Sequence, residues 1–282
     1  MTIGILAALR EEVAHLLEDL EPGGHRTRIA LRDYTVGTIH GHDCVIVLAR
    51  IGKVAAATTA TALIERFGVD RLIFTGVAGG VAPGLRIGDI VVADTLVQHD
   101  LDARPFFPRH EMPLLGASRC ATDARLTQWL ESAAHAFLEG PMQRRVGPDT
   151  RRQFGMDRPR VHRGLIASGD QFIGSAAAVR ALREALPEAL AVEMEGAAVA
   201  QVCHEYGVPF AIMRTISDTA DDQAHQDFPA FLDRVASHYA HGILQCLFEA
   251  GVPPAGAARP GPQAPPEQAP PDGTGGPDAR TA

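Results

Sequence analysis

The sequence has little of what marks nucleic-acid-binding, membrane or secreted proteins. Aromatic residues make up only 5% of its 282 residues and its net charge is −8, so it lacks the basic surface and the stacking platforms that nucleic acids require. No apolar run reaches the length of a membrane span. The apolar residues 2–9 follow no basic segment and lead directly into Arg10, which predicts a first strand rather than a signal peptide. We therefore expect a cytoplasmic protein that binds neither nucleic acid nor membranes.

Motifs for metal binding and serine catalysis are also missing. The four cysteines are widely spaced without a CxxC pair, and their mostly apolar surroundings suit small buried side chains in a reducing compartment. His99 lies near Asp100 and Asp102, but the twelve histidines form no HExxH motif, and no GxSxG motif is present. We therefore predict no metal and no cofactor, and we interpret His99 and Asp100 as hydrogen-bonding groups of a loop.

Strand-like and helix-like segments alternate through residues 1–250. Strands are predicted at residues 2–9, 29–39, 44–49, 71–75, 90–97, 161–167, 190–192 and 208–213, and helices at 11–20, 54–67, 123–137, 176–186, 197–203 and 231–248. This alternation predicts one α/β domain with a mostly parallel sheet between helices. Residues 251–282 consist mainly of Pro, Gly, Ala and polar residues and predict a disordered tail, because they cannot bury enough apolar surface to fold.

One internal segment is unusually basic. Residues 141–160 contain six arginines and several residues typical of turns, which predicts a long exposed loop. Binding of an anionic partner is the alternative interpretation of this segment.

Two acidic motifs follow predicted strands. Glu193 and Glu195 lie where the strand at 190–192 meets a helix, and Asp218 follows the apolar strand at 208–213. Ligands of open α/β sheets bind at the carboxyl ends of the strands, so these side chains are expected at that edge. Helix capping is the alternative role, but it does not explain two motifs at equivalent strand ends.

A glycine-rich turn at residues 75–84 follows another strand. Glycines allow a backbone to approach a ligand closely and leave its N–H groups free to bind. The turn matches neither GxxxxGK[ST] nor GxGxxG, and tight turns use glycine for steric reasons alone.

A set of short motifs lies at residues 3–5, 11–12, 75–80, 88–92, 98–100, 168–173, 192–198 and 216–218. In combination, order and approximate spacing, these motifs resemble the bacterial 5'-methylthioadenosine/S-adenosylhomocysteine nucleosidases of the nucleoside phosphorylase superfamily. The resemblance covers residues 2–248. It implies a single-domain, three-layer α/β/α fold with a twisted mixed sheet, and a homodimer that acts on an adenine nucleoside without metal or cofactor.

The resemblance also implies the catalytic roles. The residue matching the family's general acid is Asp218, which is expected to protonate adenine N7 while Ser217 orients it. Glu12 corresponds to the base that activates water, and Glu195 to the carboxylate that grips the ribose hydroxyls.

Binding roles follow in the same way. Phe172 is expected to stack on adenine, Ile173 to read the purine edge through its backbone, and Met194 to pack on the ribose. Ile51 and Phe228 are expected to form the wall around the 5' substituent. The remaining substrate-binding residues on this interpretation are Val77, Ala78, Gly79 and Glu193, together with Ala103, Phe106 and Pro113, which enter the neighbouring subunit's site in this family.

A phosphorylase is the main alternative enzyme. Phosphorolytic relatives hold phosphate with an arginine and a hydroxyl near the glycine-rich turn, and this chain has Phe74 and Val77 at those places, which favours hydrolysis. Entry of Arg50 or Arg86 into the pocket would favour phosphorolysis instead. Leu9 and Val77 also depart from the family's frequent methionine and serine, which leaves the fine specificity open.

The 5' group of the substrate stays open as well. Aminodeoxyfutalosine and 5'-deoxyadenosine are alternatives to the thio-nucleosides, whereas AMP is disfavoured because no arginine cluster is evident beside Ile51 and Phe228. A non-catalytic nucleoside-sensing module is a further alternative. Such a module would be expected to lack Glu12, Glu195 or Asp218, and all three are present.

Overall fold

The computed structural model describes residues 1–12, 15–220 and 224–251, with residues 224–227 described by their backbone alone. Its strands are β1 (Thr2–Ala7), β2 (His25–Ile29), β3 (Arg32–Ile39), β4 (His42–Leu48), β5 (Arg71–Phe74), β6 (Val77–Gly80), β7 (Ile90–Gln98), β8 (Cys120–Ala121), β9 (Val161–Ser168), β10 (Ala189–Glu193) and β11 (Phe210–Asp218). Its α-helices are α1 (Lys53–Phe67), α2 (Ala124–Glu139), α3 (Pro141–Arg145), α4 (Pro148–Gln153), α5 (Ala176–Ala185), α6 (Gly196–Tyr206), α7 (Ala224–Phe231) and α8 (Ser237–Glu249). The tail predicted at 251–282 lies, apart from Gly251, outside the described residues.

The strands form a mixed sheet in the order β2-β3-β4-β1-β5-β11-β6-β10-β9-β7-β8. Strand β11 runs parallel to both of its neighbours, β5 and β6, and also pairs antiparallel with β7. Strands β6, β10, β9, β7 and β11 therefore form a closed ring, which continues into an open sheet through β5. The predicted α/β fold with a mixed sheet is confirmed.

Alternating side chains of the strands bury themselves against two helical layers. On β1, Ile3 and Ile5 belong to the core beneath α2 and α8, whereas Leu6 belongs to the core beneath α1 and α6. Strand β11 follows the same alternation, with Met213 on the first side and Ile212 on the second. Successive residues of a strand point to opposite faces, so one strand contributes to both cores, and the result is the predicted three-layer arrangement.

The prediction of a helix at residues 11–20 is wrong. The chain forms 3₁₀ turns at Arg10–Glu12 and His15–Leu17, and residues 13–14 lie outside the described part. The backbone N–H groups of Leu9 and Val77 donate to the Glu12 carboxylate, which ties the first turn to the glycine-rich segment. The contact with Val77 joins residues 65 apart in the sequence, and tertiary contacts of this kind routinely override helix propensity.

Three other elements also differ from their predictions. The strand predicted at 29–39 is a hairpin, because Ala30 and Leu31 adopt positive φ angles of 47° and 64° and reverse the chain. Residues 77–80 of the glycine-rich turn form β6. The helix predicted at 231–248 begins at Ala224 and includes a π-helical stretch, Leu232–Ala236.

The basic segment at residues 141–160 is folded rather than a long exposed loop. It contains the short helices α3 and α4, each with proline in its first turn, where proline is well tolerated. Met142 and Met156 are buried in the core beneath α2 and α8. The arginines of this segment are interspersed with such buried apolar residues. Because the charged residues are so numerous, the apolar pattern was not recognised in the sequence.

Among the described residues, no helix combines the length and the apolar character that crossing a membrane requires.

Candidate functional site

A cavity of about 280 Å³ opens at the carboxyl ends of β1, β10 and β11. We call it the nucleoside pocket, and its size lies near the lower end of the range for small-molecule sites. Its lining contains the predicted residues Glu12, Ile51, Val77, Ala78, Gly79, Phe172, Ile173, Glu193, Met194, Glu195, Ser217, Asp218 and Phe228. It also contains Ala8, Leu9, Gln171 and Val192. Of these four residues, only Leu9 was expected from the sequence to affect specificity.

Glu12 is held at the floor of the nucleoside pocket with 2% of its surface exposed. Its Oε2 accepts a hydrogen bond from the Leu9 N–H at 2.8 Å, and its Oε1 accepts one from the Val77 N–H at 3.2 Å. A side chain at Gly76 would place its Cβ 3.0 Å from Oε1, so this close approach requires glycine. Burial raises the pKa of Glu12 to about 7, although these two N–H groups and the positive charge of Arg214 oppose the rise.

The family resemblance assigns Glu12 the role of the base, and a base acts in its ionised form. Because Glu12 with its raised pKa is protonated below pH ~7, we expect kcat/KM for adenine release to fall about tenfold per pH unit there. The measurement is kcat/KM from pH 5 to 9, with circular dichroism as the control for folding. An acidic limb near pH ~4.3, where an ordinary glutamate titrates, would contradict the burial effect on Glu12.

Glu195 lies at the start of α6 and is 5% exposed. Its Oε1 accepts a hydrogen bond of 2.7 Å from the Gly52 N–H, at the start of α1. Burial and the neighbouring charge of Glu193 raise the pKa of Glu195, and the Gly52 N–H opposes this rise. The contact joins two segments 143 residues apart in the sequence.

Glu193 faces away from this contact into a buried ion pair. Its Oε2 accepts a hydrogen bond of 2.7 Å from Nη2 of Arg214, and the side chains of both residues are no more than 3% exposed. Glu193 also accepts hydrogen bonds from the N–H of Gly196 and from the hydroxyl of Ser168. These contacts hold Glu193 within the protein, and Glu193 also lines part of the pocket wall, so its assignment to substrate binding stays a prediction.

Arg214 is the functional residue that the sequence interpretation missed. It is 1% exposed, its guanidinium carbon lies 4.1 Å from the centre of the Phe74 ring, and its Nη1 donates to the backbone oxygens of Phe74 and Met213. Its charge acts on both Glu12 and Glu195. The available signal was an arginine inside an otherwise apolar strand, because a buried charge needs a partner of opposite charge.

Asp218 is the last residue of β11 and is 2% exposed. Its Oδ2 accepts a hydrogen bond of 2.8 Å from the Ser217 hydroxyl, and its Oδ1 accepts one of 2.9 Å from the Ala220 N–H. A Cβ at Gly79 would lie 3.1 Å from Oδ1 and 3.0 Å from the Ala220 Cβ. The absence of a side chain at Gly79 therefore leaves the space in which this carboxyl group sits.

Apolar side chains form the opposite side of the nucleoside pocket. The rings of Phe172 and Phe228 meet edge to face with their centres 5.7 Å apart. Phe172 is 44% exposed and Ile51 is 57% exposed, which is unusual for large apolar residues of a single chain. Both therefore present apolar surface that a bound molecule can cover.

The structure does not bring Ala103, Phe106 and Pro113 into the nucleoside pocket of their own chain. Phe106 is 86% exposed, and Pro113 is also exposed. Their assignment to a neighbouring subunit's site stays a prediction.

Neither Arg50 nor Arg86 is among the described residues that line the nucleoside pocket. Arg50 donates from Nη2 to the backbone oxygen of Leu31 and lines an adjacent cavity together with three other arginines. The expectation that no arginine cluster accompanies Ile51 is therefore wrong.

The loop that follows β7 contributes hydrogen bonds at the rim. Asp100 accepts from Nζ of Lys53 at 2.6 Å and from the Asp170 N–H at 2.9 Å. This agrees with the interpretation of Asp100 as a hydrogen-bonding loop residue. In the described part of the chain, no group of three or more His, Cys, Asp or Glu residues is placed to hold a metal ion.

Comparisons with known proteins identify the family. A model of the phosphorylase superfamily matches residues 2–247. The 5'-methylthioadenosine/S-adenosylhomocysteine nucleosidase of Anoxybacillus flavithermus is 40% identical over 239 residues, which are 84% of this chain and 94% of that protein. The chain belongs to the 5'-methylthioadenosine/S-adenosylhomocysteine nucleosidase family of the phosphorylase superfamily. The resemblance inferred from the motifs is confirmed.

Solved structures related to this nucleosidase family cover nearly the same residues. The nucleosidase of Neisseria meningitidis in complex with methylthio-immucillin-A has a TM-score of 0.77 and 32% identity, and the match covers 88% of this chain and 99% of that one. The futalosine hydrolase of Helicobacter pylori has a TM-score of 0.75 and 33% identity, covering 89% of this chain and 98% of that one.

Proposed function

We propose that this protein hydrolyses the N-ribosidic bond of 5'-methylthioadenosine and S-adenosylhomocysteine, releasing adenine and a 5-thio-substituted ribose. The observation that carries the proposal is the placement of three buried carboxyl groups, on Glu12, Glu195 and Asp218, around one apolar pocket. The nucleosidases that share the fold and up to 40% of the sequence support it. The catalytic domain that we assign to this reaction comprises residues 1–250.

Cleavage of the bond generates positive charge on the ribose and negative charge on the departing adenine. Asp218 is proposed to donate a proton to adenine N7, which neutralises the leaving group. Ser217 and the Ala220 N–H hold the two carboxyl oxygens of Asp218 for this transfer. Phe172 stacks on the purine, and the backbone of Ile173 binds its edge.

Water attacks the anomeric carbon from the side of Glu12. A glutamate with a pKa of about 7 is ionised in part at neutral pH and is a stronger base than an exposed one, so it suits removal of a proton from water. Glu195 binds the ribose hydroxyls, and its carboxylate lies where positive charge develops on the sugar. Met194 packs against the ribose, and Ile51 and Phe228 contact the 5' substituent.

Hydrolysis rather than phosphorolysis is supported by the surroundings of Val77. Phe74 is covered by Arg214, and the guanidinium of Arg214 is engaged by Glu193 and by backbone oxygens. Binding of a phosphate dianion requires cationic donors that are available to it. The described pocket lining contains no lysine or arginine.

We further propose a homodimer in which Ala103, Phe106 and Pro113 complete the 5' side of the partner's nucleoside pocket. Phe106 supports this role, because its side chain is 86% exposed and offers a large apolar surface that a partner chain can cover. A cytoplasmic location and participation in methionine salvage are proposed with the same function.

The test is adenine release from methylthioadenosine, adenosylhomocysteine, aminodeoxyfutalosine and AMP, each with and without phosphate and with a chelator present. We expect phosphate-independent release that is fastest for the thio-nucleosides. The structural neighbour that hydrolyses futalosine makes aminodeoxyfutalosine the second candidate substrate. Turnover that requires phosphate, or no turnover of any of the four nucleosides, would refute the proposal.

A further inference from the structure

A second cavity, of about 620 Å³, adjoins the nucleoside pocket. The two cavities share Ala8, Leu9 and Ile51, and Ile51 belongs to the wall assigned to the 5' substituent. We call the second cavity the arginine groove, because Arg10, Arg26, Arg32 and Arg50 line it. Because these residues line both cavities, the arginine groove lies directly beside the part of the nucleoside pocket assigned to the 5' substituent.

The groove is strongly positive. Asp33 is the one acidic residue among its described lining, against four arginines. Arg26 and Asp33 lie 3.9 Å apart, and their side chains are 64% and 45% exposed. Solvent screens such an exposed pair, so Asp33 neutralises little of the arginine charge.

Two of the arginines are fixed in place by neutral partners. Arg32 donates to the backbone oxygens of Ala49 and Ala55, and Arg50 donates to that of Leu31. Backbone oxygens orient the guanidinium groups without cancelling their charge. No hydrogen bond or ion pair joins Arg10 to another described residue.

The rest of the groove is largely apolar. Leu17, Ile46 and Leu48 line it beside the arginines. A ligand that matches both parts has an apolar chain or ring followed by an anionic group. A phosphate attached directly to the 5' carbon does not match, because it would remain at the apolar wall of Leu9 and Ile51.

We propose that the arginine groove is a specificity subsite for adenine nucleosides whose 5' substituent has an apolar spacer and ends in a carboxylate. This inference rests on the proposed function, because the nucleoside part of the ligand must occupy the nucleoside pocket. The groove recognises the end of the substituent that is remote from the bond being cleaved. It therefore selects among substrates without taking part in the chemistry.

The test uses matched 5'-alkylthio adenosines that end in a carboxylate, in the corresponding amide or in an amine, with methylthioadenosine and AMP for comparison. We expect kcat/KM for the carboxylate to exceed that for the amide by about tenfold at low salt, since each partly exposed ion pair contributes up to about fivefold. The amine is expected to be the poorest of the three. The carboxylate preference should shrink at 0.5 M salt, because screening weakens exposed charges.

Variants of the groove change this preference in opposite directions. Arg26→Gln is expected to lower the carboxylate-to-amide ratio of kcat/KM about threefold, and Asp33→Asn to raise it about twofold. Arg66→Gln, in the last turn of α1 and outside the groove, is the matched control and should leave the ratio unchanged. Thermal melting checks that each variant is folded, and the salt dependence in the wild type supplies a readout that needs no variant.

Failure of this inference differs from failure of the proposed function. Hydrolysis of methylthioadenosine with equal kcat/KM for the carboxylate and the amide would overturn the subsite alone. Faster turnover of AMP than of the carboxylate would also overturn it, by placing the anion at the 5' carbon. If no nucleoside is hydrolysed, calorimetric titration of the carboxylate and the amide into the protein still decides the matter, and equal affinity for the two overturns the subsite.

Discussion

Replacement of Asp218 by asparagine is expected to reduce kcat by about 10²-fold or more, because the amide cannot donate the proton that adenine requires on leaving. The fold should persist. Asparagine has the same shape, its Oδ1 can still accept from the Ala220 N–H, and the Ser217 hydroxyl can turn to accept a hydrogen bond from the new amide group. The measurement is single-turnover adenine release, with circular dichroism to verify folding.

The companion variant is Ser217→Ala. It removes the hydroxyl that holds Oδ2 but leaves the carboxyl group, so a smaller loss of about tenfold is expected. Turnover by Asp218→Asn within threefold of the wild type would show that another group protonates the base. A loss in Ser217→Ala as large as that in Asp218→Asn would show that orientation, rather than the proton, limits the rate.

Removal of Arg214 is expected to have the largest effect on stability. Arg214→Met leaves the buried Glu193 carboxylate without its cation, and loss of one partner from a buried ion pair typically costs about 3–5 kcal/mol. We expect the lower end of that range, because Gly196, Glu195 and Ser168 still donate hydrogen bonds to Glu193. Urea unfolding of the variant and the wild type measures the difference.

A double variant tests the physical cause. Glu193→Gln added to Arg214→Met removes the uncompensated charge and should recover part of the lost free energy of unfolding, so the two substitutions are non-additive. Additive effects would mean that Arg214 acts mainly by packing on Phe74. If Arg214→Met does not fold, the double variant and Glu193→Gln alone still allow the comparison.

Residues whose role depends on a local pattern could be predicted from the sequence. The carboxyl groups of Glu195 and Asp218 follow apolar strands, and the alternation of strands and helices predicted the edge of the sheet where they meet. Arg214 was missed because its partner Glu193 is 21 residues away and its aromatic partner Phe74 is 140 residues away, and single-sequence patterns do not show such pairings. The arginine groove escaped prediction for the same reason, since β2, β3, β4 and the loop after β1 assemble it.

The 3₁₀ turn at Glu12 shows a different limit. The charged and apolar residues from position 11 onward have a helical pattern, but the Glu12 carboxylate accepts hydrogen bonds from the N–H groups of Leu9 and of Val77, which is 65 residues away. A local pattern does not show this second contact. Local propensity is therefore overruled at the place where the proposed chemistry occurs.

Strand β11 is the last strand in the described part of the chain, yet it lies between β5 and β6 in the interior of the sheet. It supplies Asp218 and also Arg214, which pairs with Glu193. A chain that ends before β11 therefore lacks the proposed acid and leaves the buried Glu193 carboxylate without its cation. Pairing of β11 with β5 and β6 brings together residues that are far apart in the sequence, and contacts of this kind form slowly during folding. The nascent chain consequently lacks the proposed site until β11 has been synthesised, and the strand that pairs with β5, β6 and β7 also supplies the proposed acid.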